Sequence, residues 1–412
     1  MPFTPENSVE FDFEYFNDDD DDDSSLVIKR TRSYSTRTDK YSSKTKLSAR
    51  QTTDTASVNQ AIACALKSRS KAFHYTQKHL QYLPPSIKHL ELCDSLQEFD
   101  LHANELQNLP DEISYLKSIE FCNLGNNHFT DIPLALGSLP NLTKLYVYNN
   151  HLQNLSSSLT FSKLINLRIL NLNHNSITEL PKDIGCLVNL EILTIEHNQL
   201  IELPCEIGLC TKLLELHLGY NRLTRLPLEI GYLINLKQLV VHRNNLLELP
   251  ESITNIKSSL KYLDIACNNL RIFPSKFHTL QLRTFFCEHN PLLDHTPIHS
   301  IQENEILTLK EICARRAMNE LRHPTIDFQP TLRERIQSNK KAKDILMQCT
   351  ECQFCHNYFL NTWLECVEFI DVQRTFKGVQ TKNLSVVPQR VLLCSYECFN
   401  SPGHNYFGVA FT

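Results

Sequence analysis

The sequence predicts an α/β solenoid, which is a curved stack of short parallel strands joined by turns and short helices. Asparagine recurs at steps of 22 to 25 residues, nine times from Asn104 to Asn290. Each of these residues lies in one frame, L-x-x-L-x-L-x-x-N-x-L, as in 213–223. A second motif, L-P-x-E-I-G-x-L, recurs between the frames, as in 226–233. A period of this length is typical of solenoids, because one repeat cannot bury its apolar face without its neighbours.

This frame is that of the leucine-rich repeat, and we expect about nine repeats of 23 residues. In each repeat the leucines of a short strand point inward, and the asparagine bonds to the backbone of the neighbouring turn. Proline is expected to open a short helical turn, and glycine to close it. The repeats resemble intracellular leucine-rich repeats of the Ras-signalling scaffold type. Such a stack offers a long concave surface and seldom an enclosed pocket, so the fold favours binding over catalysis.

The chain divides into five predicted segments. They are a disordered tail over 1–55, an N-terminal capping helix over 56–79, the solenoid over 80–293, a helical segment over 300–345 and a cysteine-rich module over 346–412. The tail is acidic up to Asp23 and basic beyond it, a composition that cannot bury enough apolar surface to fold. Val58, Ile62 and Leu66 are spaced for an amphipathic helix that covers the first repeat.

Charge and targeting features exclude several classes of function. The 412 residues carry a net charge of −5, so nothing points to nucleic acid or to an anionic membrane. No apolar run is long enough for a transmembrane helix, and the first residues do not form a secretory signal. We therefore expect a cytoplasmic protein, with the nucleus also possible. No Ser/His/Asp or Cys/His arrangement is visible, so we expect neither an enzyme nor a small-molecule substrate.

The concave face, lined by strand residues that point away from the core, is predicted to bind a protein. His174, His197, Tyr220 and Arg243 occupy equivalent positions in four consecutive repeats, so they should stack in a column. Aromatic and arginine side chains are common in binding hot spots. The alternative is that His or Tyr before the asparagine is ordinary filler of the repeat. The candidate contact residues are Tyr146, Tyr148, His174, His197, His217, Tyr220, His242, Arg243 and Tyr262.

The C-terminal cysteines are predicted to hold a structural zinc ion. Two close pairs, Cys352 with Cys355 and Cys394 with Cys398, suit a tetrahedral site closed to substrate. A reducing compartment favours metal binding over disulfides. Residues between the pairs alternate as in the strands of a zinc ribbon, a module too small to fold without metal. Cys349 or His356 could replace one ligand, and the alternative is a set of buried reduced cysteines.

A helix is predicted from 301 to 321, and its centre looks like the elongin-binding box of cullin-ligase receptors. Thr308, Leu309, Cys313 and Ala317 match that pattern, with Leu309 as the knob that enters a hydrophobic groove. Leu332 lies in a stretch that resembles a degraded cullin-selecting box. The alternative is a helix that only caps the solenoid.

The order of these parts is similar to the family of leucine-rich-repeat-containing protein 58. The resemblance covers the repeats, the box helix and the motif Leu393-Cys394-Ser395-x-Glu397-Cys398. It implies a substrate-recognition subunit of a cullin-type ubiquitin ligase, with elongin B/C and a cullin as partners and a protein substrate on the solenoid. A Ras-pathway or phosphatase-type signalling scaffold is the alternative.

Overall fold

A computed structural model of the protein describes most of the chain from residue 40 onward. The described residues are 40–153, 155, 161–293, 309–322, 339, 345–346, 348–360, 364–376, 385–395, 398–399, 401, 403 and 406–408. The predicted tail up to residue 39, together with Thr308 and Leu332, lies outside them. The chain forms two compact units, 1–48 and 49–412, and the second is described below.

Ten parallel strands form one sheet in sequence order, which confirms the predicted solenoid. The strands are β1 Ala72–His74, β2 Glu98–Asp100, β3 Phe121–Asn123, β4 Lys144–Tyr146, β5 Ile169–Asn171, β6 Ile192–Thr194, β7 Glu215–His217, β8 Gln238–Val240, β9 Tyr262–Asp264 and β10 Thr284–Phe286. Each strand pairs residue for residue with the next, so Leu193, Leu216 and Leu239 lie side by side and are fully buried. Their alignment makes one continuous apolar core along the stack.

The nine recurring asparagines, called here the ladder asparagines, form hydrogen bonds with backbone N–H and C=O groups where the chain leaves each strand. Asn221 Oδ1 accepts a hydrogen bond from Leu200 N–H at 3.0 Å. Its Nδ2 donates to Ile195 O at 2.8 Å and to Leu218 O at 3.0 Å. The side chain thus joins two consecutive repeats, which explains why asparagine recurs with the period.

Short 3-10 turns form the convex side and begin directly after the prolines, as in Cys205–Leu209 after Pro204. The expectation that glycine closes these turns was wrong. Gly208 is buried within the turn, and a Cβ there would lie 2.9 Å from Glu229 O and 2.7 Å from Glu229 Cβ. The glycine is needed because adjacent repeats pack closely, not because the turn ends there.

Helix α1, Lys40–Ser68, is longer than the predicted capping helix, since residues 40–55, which were expected to belong to a disordered tail, are also helical. Val58, Ile62 and Ala65 are buried in the solenoid core, and Leu66 is partly buried against it. The segment boundary at 79 differs from the structure, because β1 already pairs with β2 at Ala72–His74. Among the described residues, no helix combines the length and apolarity needed to cross a bilayer.

The C-terminal residues form a small module of helices and antiparallel strands. Its elements are α2 Leu309–Arg322, β11 Thr350–Glu351, β12 Tyr358–Phe359, β13 Leu364–Asp371, α3 Val372–Thr375, β14 Val386–Leu393 and β15 Phe407–Gly408. Strands β11 and β12 form a hairpin, and β13 lies between β14 and β15 in a second sheet. The hairpin and the three-stranded sheet bring the two cysteine pairs together.

Candidate metal centre and interaction surfaces

Cys352, Cys355, Cys394 and Cys398 converge at the C-terminal module. Their four Sγ atoms all lie within 4.8 Å of one another. The Cys355–Cys394 and Cys394–Cys398 Sγ distances are 3.5 Å and 3.6 Å. A tetrahedral site with metal–sulfur bonds of about 2.3 Å places its sulfurs about 3.8 Å apart. The cluster therefore has the dimensions of a four-thiolate metal site and could bind a metal.

Hydrogen bonds within the cluster favour a thiolate at Cys352. The pKa of Cys352 is lowered to about 4, chiefly because Cys394 Sγ–H donates to it, and also because backbone N–H groups point at its sulfur. One of these is Cys394 N–H, at 3.3 Å. The same thiol–thiolate bond raises the pKa of Cys394. A thiolate at Cys352, within 4.8 Å of the other three sulfurs, would attract a cation to the cluster.

Three nearby side chains lie outside this set, within the described part of the chain. His356 is mostly exposed, and its Nδ1 lies 2.9 Å from Glu351 Oε1. Cys349 packs beside α2, and burial raises its pKa. Cys366 is fully buried in the module core, and burial raises its pKa to about 12. The spacing of the two pairs predicted the converging residues, and neither proposed substitute joins them.

The module, through the residues that the structure describes, covers the last repeats. Phe376 is buried, with its ring centroid 5.7 Å from that of Phe277 and 5.8 Å from that of Phe285. Ile370, Val372 and Val387 belong to the same core as the repeat leucines. The expected helical cap at this end is therefore supplied by β13, α3 and β14. Helix α2 instead packs on β12 and on the cluster of Leu346 and Leu360.

Polar contacts also join the C-terminal module to the last repeats, at what we call the junction. Phe273 N–H donates to Pro388 O at 2.9 Å, and Arg390 N–H donates to Phe273 O at 2.8 Å, so β14 adds a bridge to the last turn. The Arg390 guanidinium lies 3.1 Å from Glu248 and 3.2 Å from Glu251. It also contacts Glu365 at 2.5 Å, although this pair lacks hydrogen-bond alignment.

Sequence reasoning missed these junction residues. Phe376 and Arg390 lie about a hundred residues or more along the chain from their partners in the repeats, and they follow no period. The one signal was the end of the repeat pattern after Asn290, because a terminal repeat needs a cover.

Helix α2 is held to the module by its polar and small residues. Glu311 is buried, and its Oε1 accepts hydrogen bonds from Leu360 N–H at 2.9 Å and from Arg315 Nε at 2.6 Å. Arg315 also donates to Cys394 O at 3.2 Å, which links the helix to the cysteine cluster. Ala314 is buried beside Glu311, whereas Cys313 is exposed. Ala317 is partly buried, and the side chain of Leu309 lies outside the described set.

The predicted column forms in the structure, although not on the strands. The rings of His174 and His197 stack at 4.3 Å, and those of His197 and Tyr220 stack at 4.0 Å. The Arg243 guanidinium lies 5.0 Å from the Tyr220 ring centre. All four side chains are exposed, and their backbones lie in the left-handed region, with φ values between 51° and 54°. They therefore occupy the turn after each strand, and their assignment to strands was wrong.

The remaining concave candidates lie on or just beyond the strands. Tyr146, His217 and Tyr262 belong to β4, β7 and β9. Tyr148 and His242 follow their strands, and their rings lie over Gly125 and Gly219, where an added Cβ would come within 2.4 Å and 2.7 Å of them. The glycines leave room for these rings to lie flat against the sheet.

Comparison with known proteins agrees with the repeat architecture. A family model described as "Leucine-rich repeat region" matches residues 149–246. Leucine-rich repeat-containing protein 69 of Xenopus laevis is 45% identical over 140 residues, which are 34% of this chain and 39% of that protein. The human protein of the same name is 38% identical over 130 residues, 32% of this chain and 36% of that protein. These names do not confirm the resemblance to the protein 58 family.

Three further comparisons each match part of another protein. A probable serine/threonine-protein kinase, pats1, of Dictyostelium discoideum is 37% identical over 132 residues, which are only 4% of that protein. The plant peptide hormone receptor RGFR1 in complex with RGF2 is 25% identical with a TM-score of 0.47, over 54% of this chain and 40% of that chain. A TDR receptor has a TM-score of 0.49 at 25% identity, over 56% and 41% of the two chains.

Proposed function

We propose that this chain, whose residues 149–246 match a leucine-rich repeat region, is the substrate-recognition subunit of an elongin/cullin-type ubiquitin ligase. Its repeats would capture a protein target, and α2 would bind the adaptor. The observation that carries the proposal is the orientation of α2. One side of the helix is fixed to the module, while Cys313 of the box pattern is exposed.

Helical geometry supports this division of α2 into two faces. Successive residues are about 100° apart around a helix, so Cys313 lies about 160° from the buried Glu311. Leu309, Cys313 and Ala317 are four residues apart and share one stripe. A small side chain at Cys313 permits close approach of a partner helix. Cys313 therefore lies on the side of α2 opposite the buried Glu311, whereas Ala317 is partly buried against the module.

The module connects the adaptor helix to the repeats by a short series of contacts. Arg315 joins α2 to Cys394, and Arg390 joins β14 to Glu248 and Glu251. We infer that zinc bound by the four cysteines would supply the folding energy of this small module and so orient α2. Here zinc would be structural, because four thiolates leave no open coordination position for catalysis.

The test is binding of purified elongin B/C to the full chain, measured by pull-down and titration calorimetry. Cys313→Ser keeps the side chain small and should retain binding, whereas Cys313→Arg should abolish it. Cys205→Arg is the matched control, because Cys205 is also exposed but lies on the convex turn. If the wild-type chain binds no elongin, the receptor function is excluded and the signalling-scaffold alternative gains support. If Cys313→Arg still binds elongin, α2 is not the element that contacts it.

A further inference from the structure

The turn residues that flank the ladder asparagines form a surface with an unusual charge pattern. We call this surface the rim, defined as the residues immediately before and after each asparagine from Asn127 to Asn290. The rim contains five histidines and two arginines and no Asp, Glu or Lys. The strand positions beside it are different, since they include Glu215 and Asp264. Positive charge is therefore separated from negative charge across the edge of the concave face.

At its centre the rim presents the edges of its rings rather than their faces. Tyr220 has the His197 ring on one side at 4.0 Å and the Arg243 guanidinium on the other at 5.0 Å. His174 continues the stack at 4.3 Å from His197. Because the faces are covered, the accessible groups are ring N–H, phenol O–H and guanidinium N–H. They follow one another at about the 4.8 Å strand spacing.

We propose that this rim binds an acidic segment of the captured protein, whose carboxylates accept hydrogen bonds from His197, Tyr220 and Arg243. The inference rests on the proposed capture of a protein by the repeats and names the chemistry of the target. Carboxylates match a row of donors that contains an arginine, because charge-assisted bonds are the stronger ones. A single-stranded nucleic acid fits less well, because its bases need open ring faces on which to stack.

The protonation of His197 supports the same anion. Its pKa is lowered, first by partial burial and then by the nearby positive charges of His174, His242 and Arg243. The carboxylates near His197 and its neighbouring cations include Glu196, which precedes His197 in the chain, and Asp264, which lies 3.4 Å from His242. A bound carboxylate would offset the repulsion among the cations, so binding should draw a proton onto His197.

The backbone makes selective variants available. Asn126 and Asn149 occupy the position equivalent to His197 and Arg243, with φ values of 54° and 49°. His197→Asn and Arg243→Asn are therefore compatible with the left-handed turn, and we expect both variants to fold. Arg225→Asn is the matched control, since Arg225 is exposed, lies outside the rim and pairs with Glu202 at 3.1 Å.

The experiment measures fluorescence anisotropy of labelled probes with the full chain. The probes are a blocked dodecapeptide of alternating Glu and Asp, its Gln and Asn counterpart, and a dodecamer of thymidine. We expect the acidic peptide to bind best, and to bind more tightly at pH 6.0 than at pH 7.5, by up to roughly tenfold per pH unit for one proton taken up. Arg243→Asn should weaken binding at least about tenfold. His197→Asn should reduce the pH dependence, and Arg225→Asn should change neither.

Several results would overturn the inference. They are equal binding of the acidic and neutral peptides, tighter binding of the thymidine probe, an equal loss with Arg225→Asn, or full pH dependence in His197→Asn. Elongin binding is measured on the same samples. A chain that binds elongin but not the acidic peptide contradicts only the inference about the rim. A chain that binds the peptide but not elongin contradicts only the ligase proposal.

Discussion

Truncation of Phe376 to alanine should uncap the solenoid without unfolding all of it. Phe376 is 1% exposed and packs on Phe277 and Phe285, which belong to the last repeats. Removal of a buried phenylalanine ring costs about 3–5 kcal/mol through lost transfer energy and the cavity left behind. Repeats contact only their neighbours, so the loss should be concentrated at β9 and β10.

Phe407→Ala provides a matched comparison within the same module. Phe407 is 37% exposed and meets Phe369 edge to face at 5.5 Å, so the same truncation there should cost only about 1–2 kcal/mol. Urea unfolding measures the two free-energy changes. Hydrogen exchange followed by mass spectrometry shows where protection is lost.

The expected result for Phe376→Ala is faster exchange across 262–286 and unchanged exchange across β4–β6. Equal destabilisation by the two variants would refute the assignment of Phe376 as the cap. A uniform loss of protection along all ten strands would refute the nearest-neighbour reasoning, because it would make the solenoid one cooperative unit.

Three further predictions concern the ladder, the cysteines and the histidine stack. Asn221→Leu should lower the free energy of unfolding, measured by urea titration, by at least about 3 kcal/mol, because it leaves buried backbone groups without partners. The control Asn235→Leu removes one exposed hydrogen bond and should cost less than about 1 kcal/mol in the same titration. Elemental analysis should find about one zinc per chain, Cys352→Ser should lose it, and Cys349→Ser should keep it; loss from both would place Cys349 among the ligands. Because the pKa of His197 is lowered from 6.5, the unfolded chain takes up a proton first, so thermal stability should fall as pH drops below 6.5, and His197→Asn should show a smaller fall.

The sequence predicted the features that its local spacing encodes. The ladder asparagines and the buried leucines follow one period, so their positions in the sheet could be read directly. Cys352 and Cys355 are close in sequence, as are Cys394 and Cys398, and tetrahedral chemistry suggested how the two pairs meet. Cys122 and Cys287, in repeat positions normally filled by leucine, are buried like the leucines they replace.

The features that could not be predicted from the sequence depend on backbone geometry and on contacts between residues far apart along the chain. The stack of His197 on Tyr220 was expected, but the left-handed turn that carries both residues follows from the way the chain leaves the strand, which the spacing does not describe. Gly208 was interpreted as the end of a turn, because the spacing within one repeat does not show its close contact with Glu229 of the next repeat. The cap formed by Phe376 depends on a contact about a hundred residues away, for which the sequence has no local signal.

The left-handed turns of the rim also restrict how this surface can diverge among related chains. His174, His197, Tyr220 and Arg243 all have positive φ, a conformation that is strained for β-branched side chains. Valine, isoleucine and threonine are therefore disfavoured there, while the strands beside the rim accept residues as different as Thr194 and Val240. New specificities could thus arise from β-branched substitutions on the strands, but at these positions of the rim only from residues without a branched Cβ, such as the Cys267 already found there. The backbone conformation that positions the stacked side chains therefore also limits which residues can replace them.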